Sequence, residues 1–378
     1  MARRHDRERR GKSVRNRQSR GCRFARTARA SGTLKSKLRG IRFLLAVAFV
    51  VRCIGGPADG LAAQVSLNLM TFNIKGDGGS LAERTGANSW YPLFGNGAAR
   101  KERALSVIGT YGPDLLSVQE LKENQLADLL GSAALAGYAY YGAGRETGTT
   151  GDSNGVFYRT SRFTRLDQGD FWLSSTPDVP GTVFPGNGSD TGNPRMATWM
   201  KLYDNQSKAT YFVLSTHWSL DSLARQQGAS LIRTQIEKLA GDLPIIALGD
   251  LNSTQTSTEY RRLSGALNPS GFQLTNAYRD VYPTSSGQER TFHDWTGNTS
   301  GSSIDHIFYS TGSIFDAVSA NIVHTSFAGK YPSDHFPVTA NLLVTVVPEP
   351  ASVVMLATGL SAIVFWRGHN RRRARAGN

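Results

Sequence analysis

Between residues 65 and 344 the apolar positions alternate between two rhythms, one fitting extended strands and one fitting helices. Residues 65–74 alternate apolar and polar as a strand with one buried face does, and 115–119 form a short apolar run typical of a buried strand. Similar runs predict strands at 138–142, 155–159, 198–203, 209–215, 244–247, 303–309 and 338–344. Helical spacing appears at 98–111 through Ala104, Leu105 and Ile108, stopped by Gly112 and Pro113. It appears again at 121–130, and at 222–240 through Leu223, Leu231, Ile232, Ile236 and Leu239. Gly, Ser, Thr and Asn concentrate at 76–89, 144–153, 185–194 and 298–302, which predicts loops. No period of 20 to 50 residues is present, which excludes solenoids and propellers. Mixed strands and helices without strict alternation predict a layered α/β sandwich.

Two apolar runs fall outside this body. Residues 43–51 follow Arg42 and precede Gly55, Gly56, Pro57 and the small-residue stretch ending at Ala63. That is a secretory signal pattern, too short to span a bilayer, with cleavage expected near Ala62 or Ala63. The Arg-rich segment ahead of it is either a start codon placed too far upstream or a basic disordered arm. At the other end, Pro348, Glu349 and Pro350 precede an apolar run at 353–366, closed by Arg367 and Arg371 to Arg373. At about 1.5 Å per residue, 351–366 reach roughly 24 Å, short of a bilayer core of roughly 30 Å. The trailing arginines hold that end on the cytoplasmic side, so the body between lies outside the cytoplasm. The division is 1–63 as basic extension and signal, 64–346 as the folded domain, and 347–378 as the tail.

The charge balance follows this division. The chain of 378 residues carries a formal charge of +14. Residues 1–52 hold 17 Lys and Arg against 2 acids, and the last twelve hold 5 Arg. The stretch between keeps 21 basic and 27 acidic residues, so a broad polyanion-binding face is not supported. Both cysteines, Cys22 and Cys53, lie in the segment expected to be removed, which leaves the domain without a disulfide.

The polar residues that could carry chemistry sit at the ends of the predicted strands. They are Asn73, Glu120, His217, Asp250 with Asn252 in Gly-Asp-Leu-Asn, Asp305 with His306, and Asp334 with His335. Carboxylates and an amide carbonyl suit Mg²⁺ or Mn²⁺, and histidines can bind phosphate or exchange a proton near neutral pH. There is no His-Glu-x-x-His and no Cys ligand, which argues against a structural or protease zinc site. The glycines at 76–79 lack a following Gly-Lys-Ser/Thr, so a P-loop is excluded. Any one Asp-Asn or Asp-His pair is more easily a turn than a site. Six such places in order are hard to attribute to background.

In this order they resemble the endonuclease/exonuclease/phosphatase superfamily, which includes deoxyribonuclease I, apurinic endonucleases, inositol-polyphosphate 5-phosphatases and neutral sphingomyelinases. The resemblance runs from Leu67 to Asn341 and implies a four-layer sandwich of two packed mixed β-sheets flanked by helices. It implies a hydrolase using Mg²⁺ or Mn²⁺ to drive water onto a phosphoester, whether nucleic acid, phospholipid or small molecule. Glu120 would be the principal metal ligand, with Asn73 and Asp305 beside it. His217 would bind or protonate phosphoryl oxygens, Asp250 would orient the water, and Asn252 would hold phosphate. His335 would be acid, base or phosphate ligand, with Asp334 fixing its tautomer, and Arg195 resembles an Arg that some secreted members place near phosphate. The alternatives are a sphingomyelinase-like or inositol-phosphate activity, a nuclease acting on extracellular DNA, or an inactive surface or matrix protein that keeps the fold. The Pro-Glu-Pro, apolar helix and Arg cluster resemble a PEP-CTERM sorting signal, which implies an exosortase partner and a transient membrane anchor; an ordinary tail anchor is the alternative. Trp90, Trp172, Trp218 and Trp295 are expected in packing roles, as are His293, His324 and His306.

Overall fold

The computed structural model describes residues 63–78, 86, 88–91, 99–187, 190 and 192–347. The signal segment, the Pro-Glu-Pro motif and the apolar tail lie outside the described residues. Among those described, no helix is long and apolar enough to cross a membrane.

Among the described residues, twelve strands form two six-stranded sheets. The first contains β1 (Gln64–Asn73), β2 (Leu115–Leu121), β3 (Tyr138–Gly144), β4 (Ser153–Arg159), β11 (Phe315–Ile322) and β12 (Val338–Thr345), in the order β11-β12-β1-β2-β4-β3. The second contains β5 (Phe163–Trp172), β6 (Met196–Asp204), β7 (Ala209–His217), β8 (Ile245–Asp250), β9 (Leu274–Asn276) and β10 (Asp305–Ser310), in the order β5-β6-β7-β8-β10-β9. Each sheet has one parallel pair. β1 and β2 are joined through helix α1 (Arg100–Tyr111), and β7 and β8 through helix α3 (Ser222–Ala240). The remaining helices are α2 (Glu123–Leu130), α4 (Thr258–Ser264) and α5 (Ala277–Val281).

The period of two assigns each strand residue to a layer. Leu67 and Leu69 of β1, Tyr211 and Val213 of β7, Ile246 and Leu248 of β8, and Ile307 and Tyr309 of β10 fill the space between the sheets. Their neighbours of opposite parity turn outward. Met70, Phe72, Leu116 and Val118 pack with Ala104, Val107 and Ile108 of α1 and with Leu129 of α2. Phe212, Leu214, Ile245 and Ala247 pack with Ala229, Ile232 and Ile236 of α3. The result is four layers, helix on sheet on sheet on helix, as expected from the sequence. Helix α1 stops at Gly112, whose left-handed backbone (φ 48°) returns its N–H to Ile108 O. Helix α3 begins where Asp221 Oδ1 accepts Ala224 N at 2.9 Å.

Three strands, β5, β9 and β11, and two helices, α4 and α5, have no counterpart in the sequence reading. All three strands lie at sheet edges. β5 exposes Thr164 to Asp167, and β11 carries an irregularity at Ala317/Ser319, so neither keeps a clean alternation.

Candidate functional site

The strand-end residues converge because of parity. Asn73, His217 and Asp250 are the last residues of β1, β7 and β8, and Asp305 is the first of β10. Each continues the inward-facing series of its strand, two residues beyond a core or small polar position. The register pairs His217 with Asp250 and Asp250 with Asp305 directly. Between apolar core and site runs a small polar band in which Ser117 Oγ and Ser215 Oγ meet across the sheets at 2.7 Å and Gln119 Nε2 donates to Ser117 Oγ. The site is the open end of the inter-sheet core, at the carboxyl ends of both parallel pairs, where α/β sheets commonly bind ligands.

Two residues reach it by breaking the rule. Alternation would turn Glu120 toward the helices, but β2 is irregular between Val118 and Leu121 and Glu120 has φ 55°, which re-aims it inward. After β8 the chain turns at once, with Asn252 (φ 45°) donating its N–H to Asp250 Oδ1 at 2.9 Å and its Nδ2 to Trp218 O at 2.9 Å. Gly249 allows the approach of β7, since a Cβ there would lie 2.0 Å from Thr216 O.

Asn73 ties the two sheets together, its Nδ2 lying 3.1 Å from Glu120 Oε1 and 3.0 Å from Asp250 Oδ2. Its Oδ1 accepts Lys75 N at 3.1 Å, so Asn73 bridges the two acids through its Nδ2 while its carbonyl keeps a second lone pair. Asp250 Oδ2 also lies 3.5 Å from His217 Nε2 and 3.8 Å from His335 Nε2. Glu120, His217, Asp250 and His335 therefore share one cleft. The expectation that Asp334 fixes the tautomer of His335 is corrected: His335 Nδ1 lies 2.9 Å from Asp305 Oδ2. Asp334 Oδ1 instead lies 3.2 Å from Ser333 Oγ, whose proton goes to Asn73 O, and its Oδ2 faces Lys75 Nζ at 3.8 Å. Asp334 stands in a bend ahead of β12, and the cross-sheet partner Asp305 holds the ring.

Burial raises the Asp250 carboxyl above its ordinary range and the nearby Asp305 raises it further, against the pull of His335. Burial alone would drive His335 down, but Asp305 and Asp250 outweigh it and hold the ring as an imidazolium. Burial would likewise raise Glu120; His217, Lys75 and the Asn73 amide outweigh it, Lys75 doing so at neutral pH, where His217 is uncharged.

His217 is held neutral first by burial and then by Arg195, whose Nη1 lies 2.9 Å from His217 Nε2. A guanidinium only donates, so Nε2 carries no proton. This corrects the reading of His217 as the group that protonates phosphoryl oxygens: the cation here is Arg195, itself anchored to Asp190 at 3.1 Å. Lys75 and Ser333 were missed. Ser333 Oγ donates to Asn73 O at 2.7 Å and accepts His335 N at 3.2 Å, joining the ends of two motifs 260 residues apart. His306 is packed between Asn276 and Ser253, His293 stacks on Phe336, and His324 meets the edge of Phe336. Trp90, Trp172 and Trp218 are buried and Trp295 half-buried, in packing positions.

The cluster could hold a cation. Ligand atoms of Asp250, Asp305 and His335 lie within 4.8 Å of one another, and Asp305 Oδ1 is buried with no hydrogen-bond partner. Glu120 and Asp334 face each other across Lys75. The carboxylates of Asp250, Asp305, Glu120 and Asp334 are hard oxygen donors, the set that Mg²⁺ and Mn²⁺ favour over softer ions, while His335, held as an imidazolium, offers no lone pair to an ion.

A two-sheet α/β sandwich with acids, amides and histidines gathered at one rim is the architecture of a phosphoesterase fold. The profile described as the Endonuclease/Exonuclease/phosphatase family matches residues 70–335, and the chain belongs to that family. Its members are phosphoester hydrolases, generally dependent on a divalent metal. Among solved structures, a family protein from Bacteroides thetaiotaomicron is 27% identical with a TM-score of 0.60, over 75% of this chain and 99% of that one. A mannosyl-6-phosphatase from the same organism is 27% identical with a TM-score of 0.58, over 73% of this chain and 99% of that one. The human Nocturnin catalytic domain shares the fold at 20% identity and a TM-score of 0.54, over 75% of this chain and 96% of that one. No curated protein matches the chain.

Proposed function

We propose that this chain is an exported phosphoester hydrolase that uses Mg²⁺ or Mn²⁺ and acts on small phosphoesters, sugar phosphates first among them. The observation that carries the reaction class is the convergence of Asp250, the Asp305–His335 pair, Glu120, Asn252 and Arg195 on one cleft. Asp250, poised by burial near neutral pH, accepts the proton of a water that attacks phosphorus as the bond to the leaving oxygen breaks. The His335 imidazolium, Arg195 and the second amide N–H of Asn252 stabilise the charge on the phosphoryl oxygens. Glu120 and Asp334 would hold the divalent ion, which neutralises that charge when bound.

The small-substrate reading rests on the charges of the cleft beside Glu120 and His217, which is lined by Arg145, Asp152, Ser153, Asn154 and Arg195. The cations around it are tied to acids: Lys122 and Arg145 to Asp152, Arg195 to Asp190, and Lys75 to Glu120. Such paired charges offer little to the successive phosphates of a duplex, whose binding depends on neutralisation by Lys and Arg. The mannosyl-6-phosphatase relative agrees with a small substrate.

The test is hydrolysis of hexose 6-phosphates and inositol phosphates, read as phosphate release, of bis-p-nitrophenyl phosphate, read as p-nitrophenol, of sphingomyelin, read as phosphocholine, and of plasmid DNA, read as strand cleavage, each with Mg²⁺, Mn²⁺ or EDTA. EDTA-sensitive turnover of a sugar phosphate is expected. Plasmid cleavage without monoester turnover would overturn the substrate assignment, and silence on all five would favour a binding protein. Export is tested by mass spectrometry of the protein from producing cells. A mature N-terminus near Ala63 outside the cytoplasm is expected, and an uncleaved cytoplasmic chain would refute export.

A further inference from the structure

Lys75 has a backbone that long side chains seldom adopt, at φ 59°. That conformation is held from three directions. Its N–H goes to Asn73 Oδ1 at 3.1 Å, and its carbonyl accepts from Arg100 Nη1 at 2.9 Å and from Gln125 Nε2 at 3.0 Å. Arg100 is 1% exposed and Gln125 fully buried, so the clamp is part of the folded core. Arg100 also takes the carbonyl of Ile74, and Gln125 Oε1 accepts the amides of Asp77 and Lys122. An unusual backbone fixed so completely by its surroundings is a sign that the direction of the side chain matters.

That side chain ends between two carboxylates. Lys75 Nζ lies 3.4 Å from Glu120 Oε2 and 3.8 Å from Asp334 Oδ2. Glu120 is also turned inward by a left-handed backbone, so both sides of the contact are pre-set. The ammonium is one-third exposed and Glu120 one-fifth, whereas Asp334, Asp305 and His335 are nearly inaccessible. Asp250 and Asp305 are thus balanced by an imidazolium that cannot leave, and Glu120 and Asp334 by an ammonium on a flexible stem that can.

We propose that Lys75 is a built-in counter-ion of the metal position, competing with the divalent ion for Glu120 and Asp334 and so setting the ion concentration at which the site fills. This rests on the reading of Glu120 and Asp334 as the ion's ligands. Two carboxylates that face each other repel unless a cation lies between them, and an ammonium and a divalent ion cannot use the same oxygens at the same distance. The free protein then keeps a neutralised site at low ion concentration, and binding requires the ammonium to move aside.

The experiment compares the full chain with Lys75→Met, which keeps length without charge, and Lys75→Arg, which keeps charge. Mn²⁺ affinity is measured by isothermal titration calorimetry and thermal stability in EDTA and in saturating Mn²⁺. Lys75→Met is expected to bind Mn²⁺ about tenfold more tightly. It should melt below the wild type in EDTA, with the difference closing in Mn²⁺, and Lys75→Arg should stay within about threefold of wild-type affinity. Unchanged or weaker Mn²⁺ binding by Lys75→Met would overturn the proposal, as would a melting deficit of equal size with and without Mn²⁺, the mark of a merely structural lysine. A wild-type chain that binds no Mn²⁺ would instead overturn the metal reading on which the inference rests.

Discussion

Replacing Asp305 by Asn tests how the site holds its buried histidine. The Asp305 Oδ2 to His335 Nδ1 contact of 2.9 Å joins two groups that are almost inaccessible to solvent. A hydrogen bond to a charged partner contributes on the order of 1.5 to 3 kcal/mol, and each pKa unit corresponds to about 1.4 kcal/mol. Losing the carboxylate charge should therefore lower the pKa of His335 by roughly one to two units, with Asp250 still 3.8 Å away to support part of the charge. Since His335 is pushed up to about 10, a shift of that size leaves the ring an imidazolium at neutral pH, and turnover should begin to fall at a pH roughly one to two units lower than in the wild type. Asp334→Asn leaves the bond to Nδ1 intact and should shift His335 less than half as far. The assay is a long-range ¹H–¹⁵N titration of histidine-labelled protein in EDTA, practicable because the chain has only seven histidines. If Asp334→Asn moves His335 as far as Asp305→Asn does, the orienting role belongs to Asp334 and the present assignment is wrong.

Asp250→Ala and His335→Ala should each lower turnover by more than about 10³-fold with the circular dichroism spectrum unchanged; near-normal activity in either would remove that residue from the mechanism. His306 gives a pH prediction. Its Nε2 lies 2.9 Å from Ser253 O, an acceptor, so the proton sits on Nε2 and Nδ1 accepts from Asn276 Nδ2 at 3.1 Å. Burial lowers its pKa to about 4, against about 6.5 in the unfolded chain, so the unfolded state binds more protons between these values. The stability it contributes is complete above about pH 6.5 and is lost as pH falls toward 4, on the order of 3 kcal/mol. Urea melts in EDTA between pH 7 and 4.5 should lose stability less steeply for His306→Gln than for the wild type, and parallel slopes would refute this. Far from the site, Arg162 lies 2.9 Å from fully buried Asp204 and 2.8 Å from Asp114. Arg162→Met leaves Asp204 an unpaired buried charge and should cost roughly 3 to 5 kcal/mol in a urea melt at pH 7; a loss below about 1 kcal/mol would show that water reaches Asp204.

What the sequence determined by itself is whatever follows from neighbours a few residues apart. Alternation placed Asn73, His217 and Asp250 at strand ends, and helical spacing located α3 to the residue, because pleat and turn repeat locally. The four-layer architecture was legible through the resemblance those motifs carry, and the edge strands β5, β9 and β11 were not, since an edge exposes polar side chains and needs no strict alternation. Tertiary structure alone decided which side chains meet. Asp305 holds His335 across 30 residues, and Arg195 takes the lone pair of His217. The bulge at Glu120 reverses what its parity would give, and the Lys75 clamp depends on Arg100 and Gln125 from two helices. Each of these contacts is set by sheet register and by packing between layers, which bring together segments whose order along the chain says nothing of their distance in space.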